Sequence, residues 1–251
     1  MLKINQYEED FEELIADSPI IIENRKAQID DKTLSLEQRK EALFTVAEEY
    51  LDLGYAYYML EENNKSIVHF QKAMPYKFKL AFEALWKEPE NCWSIQETLN
   101  CILLFGTKEL KSELIDSNWK LENEDIINES SYLYDRLLIQ IGTTFKVDDV
   151  ALINALNVSE LEKDRDVQQF IVPLLRSIKG LITSDKSQWQ IGIDKALQWH
   201  TDEAKLGEYR DIRQGVICLN ALTLAKLGRD MHGWECTSES IYLPLNLLNL
   251  I

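Results

Sequence analysis

The sequence predicts an all-α protein, a bundle of antiparallel helical hairpins with about nine or ten helices. Three observations carry that expectation. Gly and Pro are scarce, 9 and 5 of 251 residues, so the turn signals that an all-β chain needs every ~8–12 residues are missing. Long Leu/Glu/Lys-rich runs place apolar residues at three- and four-residue spacing, the period of a helix face. Several Ser residues are followed three positions later by Glu or Gln, a pairing that satisfies orphan amides at a helix start.

Taken in order, apolar spacing predicts a helix over about residues 6–16, and the Ser35…Gln38 box opens the next, running to about Glu62. A helix over residues 65–86 follows, then one from the Ser94…Glu97 box to about Phe105, and others over 124–141 and 147–157. The Ser159…Glu162 box opens a helix to about Thr183, and Ser187…Gln190 one to about His200; a last long helix spans 208–229. Pro75 and Pro173 fall inside these patterns and are expected to kink or interrupt their helices.

One hairpin carries a repeat signature. Tyr50-x-x-Leu53-Gly54-x-x-Tyr57 followed by Ser66-x-x-x-Phe70-x-x-Ala73 resembles the tetratricopeptide pattern. Gly54 lets two helices cross closely, Leu53 and Tyr57 fill the groove, Phe70 packs back across it, and Asn63-Asn64 offers the turn. Phe170–Ile182, a turn at Thr183-Ser184-Asp185, and Gln190–Trp199 repeat the plan without the signature. Two hairpins so far apart fit a bundle better than a regular open solenoid.

The chain is read as a single helical domain over 1–251, with acidic N-terminal helices in 1–62 and a C-terminal hairpin and terminal motif in 170–251. An apolar content of 45% excludes a disordered chain, and the net charge of −16 disfavours duplex DNA or an anionic membrane as partner. Charge is segregated: residues 1–62 hold 16 acids and 6 bases, residues 109–166 hold 14 and 6, and residues 167–251 balance at 9 and 9. The plain reading of such blocks is solvated helix faces. Met1–Asp10 lacks a charged-then-apolar leader, and no uncharged apolar run reaches membrane-spanning length. Cys92, Cys101, Cys218 and Cys236 are scattered without a C-x-x-C pair, as expected of reduced thiols in a cytoplasmic protein.

Catalytic motifs are missing from the sequence: no nucleophile elbow, phosphate loop, dinucleotide fingerprint or H-E-x-x-H. His69, His200 and His232 are far apart, so neither a metal nor another cofactor is expected. His200, beside Asp202 and Glu203, reads as a histidine favoured by a helix C-terminal dipole. Adjacent acids such as Glu48-Glu49 diverge on a helix, and Trp86, Trp93, Trp119, Trp189, Trp199 and Trp234 read as core. No enzyme is expected. An enzyme would instead require a convergent polar pocket with strongly shifted pKa values.

The most distinctive stretch is Ile217–Trp234, a Leu/Ala-rich helix ending in Arg229-Asp230-x-x-Gly233, followed by Ser240-x-Tyr242-Leu243-Pro244-x-x-Leu247-Leu248. With the Thr183-Ser184-Asp185-Lys186 turn and Lys195–His200, it resembles the end of the immunity 49 family, helical immunity proteins of bacterial polymorphic toxin systems. The likeness covers residues 170–248 and is only architectural before that. It implies a non-enzymatic inhibitor of a toxin that is commonly a nuclease or nucleobase deaminase, and it transfers no toxin-binding residue. Gly233 is expected to end the helix in a left-handed conformation, with Tyr242-Leu243-Pro244 laid over that helix.

Charge offers independent support, since a toxin acting on nucleic acid needs a basic channel that an acidic partner is steered towards. The expected toxin-facing surface is Glu8, Glu9, Asp10, Glu12 and Glu13 with Glu122, Glu124, Asp125, Asp148 and Asp149. The alternative is a TPR-like scaffold that binds a peptide or protein between its hairpins.

Overall fold

The computed structural model describes residues 11–86, 92–116 and 128–251. These residues form ten α-helices and no strand, as the periodicity requires. Helix α1 spans Phe11–Ile29 and α2 Leu36–Met59. Ser35 caps α2 through the expected box: its Oγ accepts from the Gln38 amide at 3.2 Å, and Gln38 Oε1 accepts from the Ser35 amide at 3.0 Å. Helix α1 runs on through Pro19, well past its expected end. It is tied to α2 where Lys26 Nζ donates to the Tyr50 hydroxyl (2.6 Å) and Arg39 Nε donates to the Ile29 carbonyl (2.7 Å).

Helix α3, Asn63–Phe82, packs antiparallel on α2 and is not interrupted at Pro75. The turn lies one step earlier than Asn63-Asn64, at Leu60–Glu62, because Glu61 takes the left-handed conformation (φ 67°). The crossing is as close as the signature implies. A Cβ on Gly54 would sit 2.6 Å from the Phe70 ring, which meets Tyr55 edge-on at 5.1 Å and stacks on Phe105 of the next helix at 4.7 Å.

Helix α4, Cys92–Phe105, starts before Ser94, so the Ser94 box is not its cap. Helix α5, Lys108–Asp116, is short and was not expected. Helix α6 (Glu129–Thr144) is capped by Asn128, and α7 (Asp149–Leu161) by Asp148. The Ser159…Glu162 box also fails, since Ser159 is buried in the last turn of α7. Asp164 instead accepts from the amides of Asp166 and Val167, opening a π turn at Val167–Ile171 that leads into α8, Val172–Ile182. Pro173 supplies the reason: it has no N–H to give and its ring crowds the preceding turn, which the wider π turn accommodates.

Helix α9, Lys186–Leu206, pairs with α8 as expected, but Asp185 rather than Ser187 caps it. The sequence pattern of a helix over 208–229 does not hold. Residues 207–218 form turns and a short 3-10 stretch, and α10 starts only at Leu219, ending at His232 with Gly233 left-handed (φ 67°). Trp189, fully buried among α8, α9 and α10, donates its Nε1–H to the Leu224 carbonyl at 3.0 Å. Trp86 and Trp199 are also buried and Trp234 is half-buried, while Trp119 and the side chain of Trp93 lie outside the described residues. Beyond Gly233 the chain folds back: the Cys218 amide donates to the Tyr242 carbonyl at 2.9 Å, Arg229 Nη1 donates to the Leu248 carbonyl at 2.5 Å, and Tyr242, Leu243, Leu247 and Leu248 are buried. Cys101, Cys218 and Cys236 are free thiols.

Candidate functional site

The irregular segment 207–218 forms one wall of a polar pocket. On α2, Glu48, Asp52 and Tyr55 follow at i, i+4 and i+7 and share a face. On α4, Glu97 lies beside Gln96, and Asn100 one turn on from both. Helix α9 contributes His200, and the start of α10 contributes Leu219 and Asn220. With Phe170, Glu208, Tyr209 and Ile212, the side chains from Tyr55 onward line a half-open pocket of about 280 Å³, and Glu48 and Asp52 lie outside its lining.

Beside the pocket, Arg213 ties the wall to both N-terminal helices. Its guanidinium binds Glu48, Asp52 (2.5 Å) and Glu97 (3.5 Å), and Lys77 Nζ lies 3.3 Å from the other Glu48 oxygen. Burial alone would raise the Glu48 carboxyl, but Lys77 and Arg213 outweigh it and hold the group below its ordinary range. Three carboxylates against two cations leave this cluster one negative charge in excess. A second network joins α4, α6 and α10: Asn100 Nδ2 donates to Asn220 Oδ1 at 2.8 Å, and the Tyr134 hydroxyl donates to the same oxygen at 2.9 Å.

Several buried lining atoms lack a hydrogen-bond partner: both amide atoms of Gln96, Glu97 Oε1, Asn100 Oδ1 and His200 Nε2. Burial pushes His200 down to about 4, so its ring is neutral at neutral pH. That corrects the dipole-favoured reading, since His200 lies inside α9 and is only 3% exposed. Burial likewise pushes the Cys218 thiol up to about 12, which keeps it from acting as a thiolate. Among the described residues no cluster of His, Cys, Asp and Glu could hold a metal ion.

The sequence-predicted toxin-facing residues lie elsewhere. Glu12 and Glu13 are exposed in the first turn of α1, and Asp149 is exposed in the first turn of α7. Asp148 is exposed too, but its carboxylate has a structural task, accepting from the amides of Val150 and Ala151. Helix α1 packs on α2 whereas α7 packs on α6 and α8, so these acids belong to different packing groups. Glu8, Glu9, Asp10, Glu122, Glu124 and Asp125 lie outside the described residues.

Sequence reasoning missed the pocket. A signal was there, because Asn100 and Asn220 interrupt apolar runs, and a polar residue in such a run needs a partner. No described helix is long and apolar enough to cross a membrane. Comparison with family models, with curated proteins and with solved structures returns no match to this chain.

Proposed function

We propose that this chain is a non-enzymatic immunity protein that works in the cytoplasm, where it binds a cognate bacterial toxin and blocks its active site. The toxin would be a nuclease or nucleobase deaminase with a basic substrate channel. The observation that carries the reading is the C-terminal arrangement. The residues that resemble the immunity 49 family are packing residues, and in the structure they pack: Gly233 ends α10 and Tyr242, Leu243, Leu247 and Leu248 are buried. Exposed Glu12, Glu13 and Asp149 supply negative surface that a cationic channel would attract. The polar pocket meets one requirement of an enzyme, while burial keeps its Cys218 thiol protonated and so withholds a thiolate nucleophile.

A TPR-like scaffold is the second reading, favoured by the close α2–α3 crossing at Gly54 and Phe70. Co-expression with the neighbouring open reading frame separates the two. Immunity predicts that growth arrest by the neighbour is relieved and that a complex co-purifies. A neighbour that is harmless, or toxic regardless of this chain, would overturn the immunity reading.

A further inference from the structure

We propose that the pocket between α2, α4, α9 and segment 207–218 is a binding site for a guanidinium or ammonium group. The inference is independent of the immunity reading and rests on the lining chemistry. Three acceptors among the lining residues are unpartnered, Gln96 Oε1, Glu97 Oε1 and Asn100 Oδ1, beside the Gln96 Nε2 and Tyr55 hydroxyl donors and His200 Nε2. Gln96 is 2% exposed and Asn100 fully buried, so bulk water does not meet their needs. Buried polar groups without partners are costly, and a ligand that donates several hydrogen bonds removes that cost.

Charge selects the ligand's sign. The lining has no Lys or Arg; it adds Glu208 to the adjoining Arg213 cluster, which with Glu97 included already carries three carboxylates against two cations. A phosphate or carboxylate would meet this field as a like charge. The rings of Tyr55, Phe170 and Tyr209 line the same space, and aromatic faces attract organic cations. Exposed Glu208 and Ile212 mark the mouth, and the volume of about 280 Å³ suits a group of side-chain size. The group could arrive on a free small molecule or on the tip of an Arg or Lys side chain, and both share the same chemistry.

Titration calorimetry of the whole chain with agmatine, N-acetyl-arginine amide and glutarate tests the assignment. Binding of either cation, with none of glutarate, is the expected result. Tighter binding of agmatine points to a free small molecule, and tighter binding of the capped arginine to a side chain. Gln96→Leu should weaken the cation at least about tenfold while leaving the protein folded, because it removes unsatisfied atoms at similar volume. Should that variant fail to fold, Glu208→Lys at the exposed mouth should weaken binding by a similar factor. No binding of either cation, equal binding of glutarate, or unchanged affinity in the folded variants would overturn the proposal.

Discussion

Replacing Arg213 with Met tests whether one guanidinium holds the pocket wall to the N-terminal helices. The side chain is 11% exposed, and its partners Glu48, Asp52 and Glu97 are 21%, 26% and 10% exposed. Removing one member of a buried ion cluster costs about 3–5 kcal/mol, because the partners keep their desolvation penalty. These acids retain some water, so the lower end applies, about 3 kcal/mol. For a chain of this size each kcal/mol shifts Tm by about 2–4 °C, giving a drop of roughly 6–12 °C at neutral pH. The sign with pH follows from Glu48. Its native pKa is depressed, so its contribution is present above the unfolded value of about 4.3 and lost as pH falls through the native value. Without Arg213 the carboxyl keeps only Lys77 against the effect of burial and protonates more readily, so the deficit should shrink on acidification. Thermal unfolding of both proteins by circular dichroism, at about pH 7 and about pH 4.5, reads this out. An equal deficit at both pH values, or none at either, would refute the ion-cluster argument.

Four further outcomes are expected. Gly54→Ala should destabilise, since overpacking against the pinned Phe70 ring costs about 1–3 kcal/mol and Ala's helix propensity returns at most about 1; urea unfolding should show the loss, relieved in a Phe70→Leu background. Truncation after Ser238 removes four buried side chains worth roughly 1.5–3 kcal/mol each, so an unchanged melt would mean the tail is not packed in solution. His200 stays neutral in the native state down to about 4, whereas its unfolded value is about 6.5, so stability is unaffected above that value and falls as pH drops towards 4, by on the order of 3 kcal/mol; His200→Gln should flatten that part of the pH–stability curve. Charge reversal of Glu8, Glu9, Asp10, Glu12 and Glu13 should slow association with the cognate toxin and weaken its salt dependence in stopped-flow mixing, and an unchanged rate would discard this surface.

Much of the architecture was legible because helix periodicity and three strong signatures write it locally. The Ser35 box, the Gly54–Phe70 crossing and the Gly233 stop all depend on residues within a turn or a hairpin of each other. The Ser94, Ser159 and Ser187 boxes misled because the same letters also occur inside a helix or just after a stronger cap; Asp164 and Asp185 took the places expected of Ser159 and Ser187. The segment 207–218 contains Gly207 and Gly215, which weaken a helix, and tertiary bonds take the helix's place. Arg213 is drawn to α2 and α4, and the Cys218 amide to Tyr242. The pocket's wall depends on these long-range bonds, so local pattern could mark Asn100 and Asn220 as polar residues in apolar runs but could not bring them together.

The bonds that close the centre join distant stretches of chain: Tyr134 to Asn220 spans 86 positions, Asn100 to Asn220 spans 120, and Arg213 to Asp52 spans 161. During synthesis, helices α1 to α3 leave the ribosome long before their neutralising guanidinium exists. The Arg213 contacts to Glu48 and Asp52 can therefore close only late, as contacts of long sequence separation. A chain wired in this way should lose its two ends together when it unfolds.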